Sequence, residues 1–140
     1  MKKNNQKLYG YQTTNRAKHN LKVHLILVCK YRKKLLQHGL EVDIKNIIRE
    51  IESNSDFEII EMETDKDHIH LMIQYIPRVS ISAIVNRIKF ISTKRIWDLY
   101  QIVLQKHFWK EKTFWTDGYF VCSIGEANPE TLRKYIQNQG

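Results

Sequence analysis

The apolar pattern of this chain predicts an α+β fold: a ferredoxin-like antiparallel sheet in the order β-α-β-β-α-β, with helices on one face. Three observations carry that expectation: a strongly apolar first strand, a later strand hairpin, and helical stripes on either side of that hairpin. An added C-terminal helix lies outside the six-element unit. The 140 residues fit one domain, 1–140, with a polar N-terminal arm at 1–18 and the C-terminal helix at 128–140.

"LKVHLILVCKYR", residues 21 to 32, is too apolar through its middle for a one-sided strand and reads as a central one. It runs into "KYRKK". "LEVDIKNIIREIE" follows, with Leu40, Ile44, Ile47, Ile48 and Ile51 at helical spacing, and "SNSD" breaks it. "FEIIEMET" and "HIHLMIQYI" read as two strands joined by "DKD", the second ended by Pro77. From Ser80 a long helix buries Ile81, Ile84, Val85, Ile88 and Ile91, with Ser80 or Ser82 as N-cap. A "DG" turn then leads into a strand at Tyr119 to Ile124, which Gly125 ends. The last helix starts with Asn128 as N-cap and Pro129 at its first position.

Composition bounds the function classes. Hydrophobic residues make up 42% of the chain, which places it among globular proteins. Lys and Arg outnumber Asp and Glu by 23 to 15, a formal charge of +8, which suits a polyanionic partner such as nucleic acid and also serves solubility. No signal peptide or membrane-spanning run is visible. Cys29 and Cys122 are far apart and lie in apolar runs, so both are expected as buried free thiols in the cytoplasm.

"DHIHLMI" holds the first chemistry. Alternation along a strand sends His68, His70 and Met72 to one face and Ile69, Leu71 and Ile73 to the other. The two imidazoles stand ~6.6 Å apart, close enough to converge on one ion. Spacing alone favours plain polar alternation on an exposed face, because two ligands do not complete a metal site. A third ligand is open among Asp65, Glu61, Glu63, His19, His24, His107 and the amide oxygen of Gln139.

Tyr135 and Gln139 are one helical turn apart and project together. Taken alone, Tyr135 belongs to a packing face with Leu132 and Ile136. Combined with a divalent ion on His68 and His70, a tyrosine hydroxyl could attack a phosphodiester and form a covalent phosphotyrosine, provided a metal or base loosens its proton.

These residues resemble a known family, the HUH-type single-tyrosine transposases of small bacterial insertion sequences that move as single-stranded DNA. "HLILVCKYRKKLL" resembles the family's first strand and basic exit, and "DHIHLMI" its His-hydrophobe-His strand. "FWTDGYFVCSIG" is similar to its last-strand signature, and "YIQNQ" to the tyrosine with a glutamine four residues on.

The resemblance implies that Tyr135 is the nucleophile, forming a 5′-phosphotyrosine and leaving a 3′-hydroxyl. It implies that His68, His70 and Gln139 hold Mg²⁺ or Mn²⁺, and that a homodimer recognises hairpins near the element's ends in single-stranded DNA. In that family the tyrosine helix can complete the partner subunit's site, so assembly within one subunit or across two stays open. The chain stops at Gly140, directly after Gln139, so the end of this helix is expected to fray.

Lys30, Arg32, Lys33 and Lys34 at the strand exit, with Arg87 and Lys94 on one helix flank, are the expected DNA contacts. Tyr31, Phe108, Trp109, Phe114 and Trp115 could stack on bases, but fit core or dimer interface better. The alternative from another class is a non-enzymatic single-stranded nucleic-acid-binding module with a ferredoxin-like fold. Such modules display aromatics on the central strands, where this chain has histidines. A paired-motif phosphodiesterase would need a second HxH, and rolling-circle nicking enzymes often have more domains or two tyrosines.

Overall fold

The computed structural model describes residues 12–14, 17–124 and 129–139. A short antiparallel pair, β1 (Gln12–Thr14) and β2 (Ala17–His19), lies inside the arm expected to be merely polar. β3 (Leu21–Val28) leads through one 3-10 turn, Lys30–Arg32, to α1 (Leu40–Ser53). β4 (Phe57–Thr64) and β5 (His68–Tyr75) form the hairpin, followed by α2 (Ile81–His107), β6 (Phe120–Ser123) and α3 (Pro129–Gln137).

The main sheet has the order β4-β5-β3-β6, and every neighbouring pair is antiparallel. α1 and α2 are the two crossovers, which is the ferredoxin-like arrangement the sequence predicts, with β3 central. Val23, Leu25 and Leu27 of β3 and Ile69, Leu71 and Ile73 of β5 point into a core closed by Ile44, Ile47, Ile48 and Ile51 of α1 and Ile84, Val85 and Ile88 of α2. Each such burial removes a large aliphatic side chain from water and favours folding by about 1.5–3 kcal/mol.

α2 starts where capping chemistry places it: Ser80 Oγ accepts from the Ala83 N–H at 3.1 Å. The helix runs on far beyond its predicted apolar stripe, past an irregular turn at Tyr100 (φ −127°, ψ 35°). Trp97 holds the following segment by donating its indole N–H to the Thr113 carbonyl at 2.8 Å.

Two local expectations need adjusting, the bounds of β6 and the burial of Cys122. β6 is shorter at each end than the Tyr119 to Ile124 run, and Gly125 and Asn128 lie outside the described residues. Cys29 is buried as expected, and burial pushes its thiol pKa far up. Cys122 is only half-buried, because it sits on the short edge strand opposite His24, on the face away from the core. Phe108, Phe114 and Trp115 are core residues, whereas Tyr31 and Trp109 are exposed.

Candidate active site

The register of the sheet fixes what its outer face displays. One row across the strands is Phe120, Ile26, His70 and Glu63; the next is Cys122, His24, Met72 and Glu61. His68 stands beside Val28. Glu61 and Glu63 reach this face because a bulge between Ile59 and Glu61 resets the alternation of β4 and turns Met62 toward the core. Ile26 and Val28 are buried on this same face, so it is covered in part.

His68 and His70 therefore share a face, and each is already oriented by a partner. His68 Nδ1 is 2.9 Å from Asp67 Oδ1, which leaves Nε2 as the free ring nitrogen. His70 Nε2 is 2.7 Å from His24 Nδ1, and the two rings stack at 4.8 Å. Burial, then the neighbouring His24, lowers the His70 pKa; Glu63 and Glu61 oppose this in part. A neutral imidazole is the form that binds metal. Of the other third-ligand candidates, Asp65 is exposed in the hairpin turn, where its carboxylate takes the Lys66 N–H. His19 is buried, and His107 sits at the end of α2 beside Phe108. Among the described residues no three His, Cys, Asp or Glu side chains converge on one point.

α3 packs over this same outer face. Tyr135 meets Phe120 ring to ring at 5.6 Å, and Phe120 is two strands from His70 in the same row, ~9.6 Å at ~4.8 Å per strand. Its hydroxyl is buried with no partner in hydrogen-bonding geometry. A Cβ placed on Gly118 would lie 3.7 Å from that oxygen, an ordinary van der Waals contact. Burial raises the Tyr135 pKa, and the neighbouring Thr116 hydroxyl opposes it by a smaller amount. Gln139 is turned back on its own helix, with Nε2 donating to the Tyr135 carbonyl at 3.2 Å. Its amide makes no hydrogen bond to either imidazole.

The basic residues divide by what they hold. Lys30 pairs with Asp117 at 3.1 Å, and Arg32 donates to the Gln137 carbonyl and approaches Asp67. Arg87 donates to Ser55 Oγ at 2.6 Å and the Asn54 carbonyl at 3.1 Å, closing the end of α1. Lys94 lines an open cavity of about 750 Å³ with Lys89, Phe90, Trp97 and Lys112. Lys33 is half-buried and Lys34 exposed.

Several residues that shape the site carry no motif. Asp67 orients His68, and only its place next to that histidine hints at the role. Thr116 and Gly118 flank the Tyr135 hydroxyl from the "TDG" turn. Lys89 holds that turn through the Asp117 and Gly118 carbonyls at 3.0 and 2.9 Å.

Fold and site together define an α+β protein whose ferredoxin-like sheet presents a histidine pair and a tyrosine helix on its outer face. The sequence profile described as IS200-like transposase matches residues 17–139, and the chain belongs to that family. It is 30% identical over 121 residues to the ISDra2 transposase TnpA of Deinococcus radiodurans, covering 86% of this chain and 85% of that one. The transposase for insertion sequence element IS200 of Salmonella typhimurium is 26% identical over 120 residues, covering 86% and 77%.

A crystal structure of a Deinococcus radiodurans protein described as a transposase superposes with a TM-score of 0.84 at 26% identity, covering 91% of this chain and 97% of that one. A REP-associated tyrosine transposase bound to a REP hairpin shares the fold, with a TM-score of 0.52 at 16% identity, covering 89% and 68%. No helix among the described residues is long and apolar enough to cross a membrane.

Proposed function

We propose that this transposase cleaves and rejoins single-stranded DNA through a 5′-phosphotyrosine on Tyr135, at insertion-sequence ends marked by hairpins. The observation that carries the reading is the buried, unpartnered Tyr135 hydroxyl on the sheet face that holds the histidine pair. A polar atom buried without a partner is costly and rare. Here it is the one atom the chemistry needs, and it lies beside Gly118.

The donor set fits a divalent ion. His68 offers Nε2, His70 is held neutral, and the Gln139 amide oxygen lies one turn from Tyr135. These three would hold Mg²⁺ or Mn²⁺, which when bound draws charge off the scissile phosphate. His70 would bind through Nδ1, or through Nε2 by exchanging His24 for the ion. Tyr135 Oη forms the bond to phosphorus, the bond from phosphorus to the 3′ oxygen breaks, and that oxygen leaves as a 3′-hydroxyl. Because burial raises its pKa, the tyrosine arrives protonated and gives up its proton as the bond forms. The ester conserves the energy of the cleaved bond, so a 3′-hydroxyl can reverse or redirect the reaction.

Arg32, Lys34, Arg87 and Lys94 are the sequence-expected DNA contacts that the structure leaves exposed, and of these Lys34 and Lys94 spend their side chains on no hydrogen bond or ion pair among the described residues. The homodimer implied by the resemblance suits the exposed apolar run Leu99, Ile102 and Val103 on α2.

The test is incubation with hairpin-bearing single-stranded DNA and Mg²⁺ or Mn²⁺, followed by a denaturing gel. A covalent protein–DNA adduct forms, and it is absent in Tyr135→Phe. An adduct that survives this substitution rejects the nucleophile. Hairpin binding with no adduct under any metal returns the chain to the binding-module reading. His68→Ala and His70→Ala lose cleavage and keep hairpin binding.

A further inference from the structure

Tyr31 and Arg32 follow one another in the left-handed region, at φ of 59° and 53°. Two successive non-glycine residues there are strained, and such a turn persists only where its surroundings hold it. Backbone bonds do so: Lys30 N–H to the Phe114 carbonyl at 2.8 Å, Arg32 N–H to the Cys29 carbonyl at 2.8 Å, and Cys29 N–H to the Asp67 carbonyl at 2.9 Å.

The turn sends the Arg32 side chain between the end of α3 and the start of β5. Its Nη1 donates to the Gln137 carbonyl, on the last turn of α3, at 3.2 Å. Its Nε lies 3.5 Å from Asp67 Oδ2, and the other Asp67 oxygen is 2.9 Å from His68 Nδ1. A continuous run of polar contacts therefore joins the tyrosine helix to the histidine strand.

α3 has nine residues and no buried one. A helix that short is not stable by itself, so its position depends on a few anchors. Ring contact with Phe120 is one. Arg32 is another, and it grips the carbonyl end of the helix, where a cation is favoured. Gln137 lies midway between Tyr135 and Gln139, so holding its carbonyl holds the stretch of backbone that carries both.

We propose that Arg32 is a positioning residue that docks α3 onto the His68 strand end of its own chain and so sets Tyr135 and Gln139 relative to the histidines. The catalytic consequence rests on the phosphotyrosine reading above; the docking itself does not. A lysine cannot replace it, because one ammonium cannot present two separated donors to both partners in a fixed geometry. A phosphate contact, the role expected from sequence, would by contrast be largely kept by lysine.

The test is amide hydrogen exchange on the full chain without DNA or metal, for wild type, Arg32→Ala and Arg32→Lys, together with single-turnover adduct formation at saturating hairpin DNA. Docking predicts exchange in residues 130–139 about fivefold faster in both variants, with β3 and β5 unchanged. Adduct formation slows about tenfold or more in both, while hairpin affinity stays within about twofold, since a displaced nucleophile costs rate and not binding. Unchanged α3 exchange in Arg32→Ala overturns the proposal, as does a loss of hairpin affinity that Arg32→Lys restores. If wild type forms no adduct, the functional reading fails while the exchange result still decides the docking.

Discussion

His70 Nε2 and His24 Nδ1 meet at 2.7 Å across the two central strands, two residues off the direct register. The contact places two imidazoles in a half-buried setting, and burial is the main reason that the His70 pKa falls below its usual 6.5. The unfolded chain therefore binds the His70 proton at higher pH than the folded chain does. Stability from this group is complete above about 6.5 and is lost as pH falls through the lower folded value. Thermal melts should show a Tm that drops between about pH 7.5 and about pH 5, and His70→Asn should flatten that drop. An equal drop in the variant assigns the effect to other groups.

Asp67 makes the complementary prediction for the second histidine. Its carboxylate holds His68 Nδ1, which fixes the ring and leaves Nε2 outward. Carboxylates in this position raise the basicity of a metal-binding imidazole, and their loss costs about 10–100-fold in metal affinity or activity. Asp67→Asn should weaken Mn²⁺ binding by an amount in that range, read by calorimetry on the protein without DNA. Wild-type affinity in the variant would separate Asp67 from the metal site.

Tyr135→Phe should lose the covalent adduct and yet not destabilise the protein. The hydroxyl is buried without a partner, so removing it relieves a desolvation cost of about 1 kcal/mol, against no hydrogen bond lost. The Tm should stay level or rise by about 2–4 °C for a chain of this size. A clear fall would mean that the hydroxyl has a structural partner in solution, with Thr116 the first candidate.

Gly118 tests the space beside that oxygen. A Cβ there would stand 3.7 Å from Tyr135 Oη, an ordinary contact, so Gly118→Ala should fold and cleave within about threefold of wild type. Gly118→Val fills the approach and should slow adduct formation about tenfold or more at unchanged hairpin affinity. Full activity in the valine variant would show that the substrate reaches the tyrosine from another side.

The sheet and the histidine pair were legible because period-2 alternation is local: Ile69, Leu71 and Ile73 had to face the core, so His68 and His70 could not. The buried isoleucines of α1 follow from spacing in the same way. What alternation misses is anything that resets or crosses it. The bulge at Ile60 decides that Glu61 and Glu63 join the histidine face, and nothing in "FEIIEMET" marks it. Asp67 read as a turn residue, since a hairpin loop gives Asp an adequate local reason to be there. Arg32 read as a DNA contact, because a basic cluster does not show that one member is spent on Gln137 and Asp67. A long helix from Ser80 was legible, but its apolar stripe was read only as far as Ile91, because Phe90, Leu99, Ile102 and Val103 stay exposed and blur it.

Arg87 sharpens the same distinction into a last prediction. Sequence pairs it with Lys94 on one helix flank as a DNA contact, but the two side chains meet different surroundings. Lys94 lines the open cavity, whereas Arg87 spends Nε on Ser55 Oγ and Nη2 on the Asn54 carbonyl, just past the end of α1. Ser55 is buried and also donates to the Ile51 carbonyl at 2.6 Å, so it keeps one bond when the arginine goes. Arg87→Ala should then cost about 1 kcal/mol, less than a fully orphaned buried group would. Hairpin affinity should be unchanged, with the same salt dependence, because no phosphate contact is lost. Lys94→Ala should do the reverse, leaving the Tm in place and weakening binding most at low salt. Denaturant melts and hairpin titrations at two salt concentrations on both variants decide between the assignments. A binding loss in Arg87→Ala equal to that in Lys94→Ala would restore the arginine to the DNA path.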